Sequence, residues 1–292
     1  MKKAIVAALA AAVTTLASAQ VTVYGVMDQA VRSTDGDTSF VSGSHTPSFI
    51  GIKGSEHLAG GLTISFKLEG GVNAATGDMF GDQIFNQESS LSFHSTALGT
   101  ITLGRADTSA SEGIDRLAGF RNFGLFASTR GVEYARDRDS TIRYTSPDLA
   151  GAQFQIGHSL ASSTVEKLDS VSVSYRLDRF VASVGHDRTE SGHTYTAAGG
   201  SLSLSSINIG IMHGRRDAAI ETKTTILSGS MPLGAVSLLA SYNITDTDVN
   251  EIKVTNLGAS YNFSKRTMIL AAYQTHSDYT ADFWQLGIVH KF

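Results

Sequence analysis

The chain has 292 residues, of which 41% are hydrophobic, with 29 glycines, three prolines and no cysteine. Its 23 basic and 27 acidic side chains leave a formal net charge of −4. That balance argues against a nucleic-acid partner, and the lack of cysteine excludes a disulfide framework.

Residues 1–19 have the layout of a secretory signal. Lys2 and Lys3 form a positive start, Ala4 to Leu16 an apolar run, and Ala17-Ser18-Ala19 a small-x-small cleavage pattern. The run is too short for a transmembrane helix, so cleavage after Ala19 is expected, leaving a mature chain from Gln20. Removing Lys2 and Lys3 leaves 21 basic against 27 acidic residues, a balance of −6. No later stretch approaches the roughly 20 apolar residues that a membrane helix needs. An exported chain with no inner-membrane span continues to the periplasm or the outer membrane.

From residue 20 onward the chain reads as one domain, 20–292, built on a period of two. Alternation and turn signals together predict 16 strands at about 21–31, 46–56, 61–72, 86–95, 100–106, 139–146, 151–160, 167–177, 180–189, 194–204, 207–216, 221–231, 235–245, 250–263, 267–277 and 281–292. In the eighth, Val171, Val173, Tyr175 and Leu177 face lipid, while Ser172, Ser174 and Arg176 face the lumen. The thirteenth sets Val236, Leu238, Ala240, Tyr242 and Ile244 against Ser237, Ser241 and Asn243. The fifth and fourteenth slip register, which predicts bulges. One greasy and one wet face per strand, with an even strand count, point to an all-β antiparallel transmembrane barrel. Half of each strand facing a wet lumen also accounts for the modest hydrophobic content.

Tight turns are expected at residues 58–60, 97–99, 148–150, 178–179, 205–206, 232–234 and 264–266, alternating with external loops that are brief after the third. The third, residues 107–138, is the exception. It lacks strand alternation and carries Glu112, Asp115, Arg116, Arg121, Arg130, Glu133 and Arg136 beside Phe120, Phe123, Leu125, Phe126 and Tyr134. Such aromatics are poor company for water, so the loop is expected to fold inward and pack on the barrel wall. The chain ends on Trp284, Leu286, Ile288, His290 and Phe292, an alternating set closing on an aromatic.

An enzymatic reading finds little to stand on. His186 and Asp187 are adjacent on a strand and point to opposite faces, so they cannot form a catalytic pair. The nine histidines show no metal-ligand spacing, so neither a metal nor a cofactor is expected.

These segments resemble the Gram-negative general diffusion porins, particularly the beta-proteobacterial ones. The resemblance spans essentially the whole mature length. It is carried by Val21-Thr22-Val23-Tyr24-Gly25-Val26-Met27-Asp28, Gly51-Ile52-Lys53-Gly54-Ser55-Glu56, Gly60-Gly61-Leu62, Leu103-Gly104-Arg105, Arg138-Asp139-Ser140-Thr141-Ile142-Arg143-Tyr144, Tyr261-Asn262-Phe263-Ser264-Lys265-Arg266-Thr267 and the terminal Phe292. It implies a 16-stranded barrel, usually homotrimeric, seated in outer-membrane lipid and lipopolysaccharide. The third loop would tuck into the lumen and constrict a water-filled channel for small hydrophilic solutes and ions. Phe292 corresponds to the terminal aromatic read by the barrel-assembly machinery. Arg105 and Arg138 match the family's eyelet arginines, and Lys53 a lysine of the same wall; the alternation adds Lys67, Glu69 and Arg143 as inward charges. Phe49 and Gln87 stand where relatives commonly carry arginine, and Asn122-Phe123-Gly124 replaces the loop's usual acidic tip. The eyelet acids expected here are therefore Glu112, Asp115 or Glu133, and charge preference does not carry over from the family. A substrate-specific channel, for example for sugars, is the alternative, with Tyr24, Phe49 and the loop phenylalanines as a possible aromatic slide.

Overall fold

The computed structural model describes residues 20–115, 117, 136–161, 165–277 and 281–292. Its strands run in chain order β1 (Gln20–Thr34), β2 (Asp37–Ser42), β3 (Phe49–His57), β4 (Leu62–Gly71), β5 (Glu88–Ser95), β6 (Gly99–Ala106), β7 (Arg138–Thr145), β8 (Ala152–Ser159), β9 (Leu168–Leu177), β10 (Phe180–Thr189), β11 (Thr194–Leu204), β12 (Ile207–Asp217), β13 (Thr222–Leu233), β14 (Val236–Thr247), β15 (Glu251–Asn262), β16 (Thr267–His276) and β17 (Phe283–Lys291). A short helix, α1 (Ser109–Asp115), follows β6. β2 and β3 both pair with β1; from β3 onward each strand pairs antiparallel with the next, and β17 returns to β1, which closes the sheet.

The closed barrel has sixteen staves, because β2 and β3 are two halves of one. The upper part of β1, Gln29–Thr34, pairs with β2, and the lower part, Gln20–Val26, pairs with β3. The second strand expected at 46–56 therefore begins at Phe49 and has an upper half at 37–42 that the hydrophobic pattern does not reveal. Asp37, Thr38 and Ser39 offer no apolar alternation there.

Alternation decides which face is which. Leu286 and Ile288 on β17 are 54% and 51% exposed, and belong to the outward set with Trp284. Gln285 and Val289, of the alternate set, are buried. The same split puts Val171, Val173, Tyr175 and Leu177 outside and Ser170, Ser172 and Ser174 inside. Small polar side chains line the bore because water satisfies them there, while lipid rewards the apolar set outside.

The ladder slips between Gly104 and Ala106, where Gly104 has φ 123°, so the bulge expected in the fifth stave is present. The fourteenth stave, β15, runs in unbroken register from Glu251 to Tyr261 against β14. Its apparent slip comes from Val254 pointing inward, buried, while Lys253 and Thr255 take the outer set near the rim. The last residue extends the closing ladder of β1 and β17. The Gly25 and Phe292 backbones exchange both N–H···O bonds, at 3.3 and 3.2 Å. The Phe292 ring lies over Gly25 so closely that a Cβ there would stand 2.6 Å from ring atom Cζ.

Candidate pore constriction

The described start of the third loop is α1, which packs against the wall. Ser-Ala-Ser-Glu-Gly-Ile-Asp is a poor helix former and only seven residues long, so the wall must hold it. The Thr108 hydroxyl donates to the buried Asp187 carboxylate at 3.1 Å and accepts the Ser111 N–H at 3.1 Å. Ala110 N–H donates to Ser170 Oγ at 2.8 Å, and Ser183 Oγ donates to the Gly113 carbonyl at 2.7 Å. Ser170, Ser183 and Asp187 belong to the inward set of β9 and β10, so α1 lies on the inner face of the wall.

Glycine makes that approach possible. A Cβ at Gly185 would stand 2.7 Å from the Ala110 Cα, and one at Gly199 would stand 2.7 Å from the Leu117 side chain. Ile114 of α1, and Leu117 just after it, join Val181, Tyr195, Ala197, Met212 and Ile226 in a buried cluster across the inner faces of β10–β13. An apolar patch inside a bore otherwise lined by serine and threonine needs a cover, and each large side chain buried there contributes about 1.5–3 kcal/mol. His186 turns outward to Thr196, away from Asp187.

The expected charged residues fall into separate groups. Arg143 Nη1 donates to the Asp107 carbonyl at 2.7 Å and stands 3.8 Å from Glu112, so β7 and α1 do come together. Arg105 sits at the bulge, spending Nη1 on Asp139 at 2.6 Å and Nε on the Asn86 carbonyl at 2.7 Å. Arg138 donates to the Glu166 carbonyl at 2.7 Å. Asp115 lies 3.4 Å from Arg136, and Glu133 lies outside the described residues. At the loop's neck, Asp137 is pushed up to about 7, first by burial and then by the neighbouring Asp107.

A second group occupies β1, β3, β4 and β5. Lys67 bridges Glu69 at 3.1 Å and Glu88 at 2.7 Å, and Tyr24 donates to Glu69 at 2.5 Å. Lys53 lies 4.4 Å above the Tyr24 ring, against which Phe49 packs edge-on at 5.7 Å. Arg32 extends this wall toward the external end. Its guanidinium bonds only the neutral Gln285 oxygen, at 3.0 and 2.8 Å, over the Phe283 ring. Arg32 continues the inward set Val26, Asp28, Ala30, but a first strand ended at residue 31 leaves it out. Among the described residues, neither Arg32 nor Lys53 forms an ion pair with a carboxylate.

A family model described as Gram-negative porin matches residues 5–281. The chain belongs to the Gram-negative porins. It is 29% identical over 315 residues to outer membrane porin protein 32 of Delftia acidovorans, covering 92% of this chain and 88% of that protein. Its fold matches an anion-selective porin from Comamonas acidovorans with TM-score 0.81 at 20% identity, over 94% of this chain and 100% of that one. OmpT of Vibrio cholerae, in its trimer form, matches with TM-score 0.73 at 14% identity, over 94% and 99%. This porin is an outer-membrane barrel, and its activity is passive diffusion through the bore.

Proposed function

We propose that residues 107–138 fold into the lumen and set the narrowest level of a water-filled path for small hydrophilic solutes and ions. The seating of α1 on the inner wall carries this reading. Arg32 and Lys53 form the positive side facing it, with Glu112 and Asp115 as the loop's acids and Glu133 as the third candidate. Arg143, Lys67, Arg105 and Arg138 share their charge with carboxylates or carbonyls and contribute less to the field. An ion in a constriction sheds part of its water and cannot avoid such charges, whereas charges on an open rim are screened beyond about 8 Å at physiological salt.

Neutralising both Arg32 and Lys53 to glutamine is expected to shift the reversal potential under a salt gradient toward cation preference. An unchanged potential would remove these residues from the selective site. The porin is proposed to assemble as a homotrimer, as the OmpT trimer form suggests, in lipid and lipopolysaccharide with the help of the barrel-assembly machinery. Residues 1–19 are proposed to be cleaved. N-terminal sequencing of purified outer membranes is expected to begin at Gln20, and a mature chain still carrying Lys2 and Lys3 would contradict it.

A further inference from the structure

The break between β2 and β3 holds surplus chain. Gln29 pairs with Ser42 and Val26 with Phe49, so an uninterrupted stave would need two residues opposite Met27 and Asp28. The chain supplies residues 43–48, four more than required. An even surplus preserves the inward and outward sets on both sides of the break, so the rest of the stave is undisturbed.

The surplus folds inward. Asp28, wholly buried and in the inward set of β1, takes Ser44 Oγ at 2.6 Å and the N–H groups of His45 and Thr46 at 2.6 and 2.7 Å. Its own N–H donates to Ser48 Oγ at 2.9 Å. Gln285 Nε2 donates to the Ser44 carbonyl at 3.2 Å, and a Cβ at Gly287 would stand 2.9 Å from Ser44 Oγ. Gln285 and Gly287 also point inward, so the strap lies on the lumenal face of β1 and β17. A buried carboxylate with three donors is a strong fastening, since charge-assisted bonds are roughly twice as strong as neutral ones.

The staves under the strap and those under α1 are diametrically placed. In the closed ring of sixteen staves, β1 is eight places from β10, and β17 eight from β9. Both inward pieces rest near mid-strand, at Asp28 and at Gly185.

We propose that residues 43–48 are a second constriction element, fixed by Asp28, so that solutes pass between this strap and α1 rather than between α1 and a bare wall. This rests on the diffusion-pore reading and adds which side of the bore opposes the loop. Thr46 and the exposed Pro47 are then the strap residues that permeating solutes meet.

The absence of native cysteine makes a direct test available. Thr46→Cys and Pro47→Cys porins, reconstituted in planar bilayers, are treated with a charged methanethiosulfonate reagent, with modification verified by mass. A stepwise loss of single-channel conductance on labelling is expected, against no change in the wild type. A second variant replaces residues 43–48 by Thr-Ser together with Asp28→Ser, restoring an unbroken stave; its conductance and solute size limit are expected to rise. Full labelling with unaltered current, or a regularised stave with wild-type conductance, would overturn the proposal. A porin shortened in residues 109–136 is measured alongside. If that shortening changes the current while strap labelling does not, the strap inference fails and the loop reading stands; if the shortening alone is silent, the loop reading fails.

Discussion

A chain ending at Lys291 is expected to yield folded, heat-modifiable barrel at roughly a tenth of the wild-type level or less. Deleting Phe292 removes both backbone hydrogen bonds to Gly25 and uncovers the outer face of β1 where the ring lay. Two such bonds contribute about 1–3 kcal/mol net, and more where lipid offers no replacement partner, while tenfold in a folding equilibrium is about 1.4 kcal/mol. The loss falls at the seam joining first and last strands, a pairing between residues far apart in sequence. Gly25→Val is expected to do the same with Phe292 retained, since an added Cβ would meet both the Phe49 carbonyl oxygen at 2.5 Å and the Phe292 ring at 2.6 Å. Wild-type amounts of folded Gly25→Val porin would show that the ring does not hold the seam.

Gly185→Leu is expected to unseat the loop while leaving the barrel intact. The Gly185 Cα faces the α1 backbone, with Ala110 Cα, Cβ and carbonyl oxygen all within 2.9 Å of an added Cβ. Backbone on both sides cannot give way as a flexible side chain would, and overpacking of this kind costs typically 1–3 kcal/mol. A seven-residue helix of low propensity has nothing to spare against that cost. The β9–β10–β11 ladder does not use the helix, so heat modifiability should persist. Limited trypsin digestion should then cut within residues 107–138 of the variant under conditions that spare the wild type. Equal resistance would mean that α1 is not what keeps the loop in place.

The barrel is legible in the sequence because lipid enforces one face of every stave. Val171-x-Val173-x-Tyr175 and Leu286-x-Ile288 declare themselves without any knowledge of their partners, and the short turns punctuate them. What the sequence hides lies inside. Asp37–Ser42 carries no outward apolar run, so its half-stave is found only through its pairing with β1. The same oversight hides the strap, since surplus chain is visible only once the register on both sides of it is known. α1 has neither the propensity nor the length to be read as a helix; it is held by bonds to the wall at Ser170 and Ser183 and lies close over Gly157 and Gly185, which look like ordinary strand glycines in sequence. Arg105 and Arg138, chosen by resemblance, bond Asp139 and the Glu166 carbonyl. Arg32, one residue past the expected strand end, stands on the inner wall with no carboxylate bonded to it. Local pattern reports which face a residue occupies, whereas partners across a lumen are set by closure of the whole ring.

The central claim is that the third loop, not the barrel wall alone, sets the bore. Single-channel conductance in a planar bilayer tests it most directly, comparing the wild type with a porin in which residues 109–136 are replaced by a short Gly-Ser turn and whose barrel is verified by heat modifiability. The loop-shortened porin is predicted to conduct more and to admit larger solutes, with a weaker dependence of the reversal potential on Arg32 and Lys53. Wild-type conductance and an unchanged size limit in that porin would contradict the account.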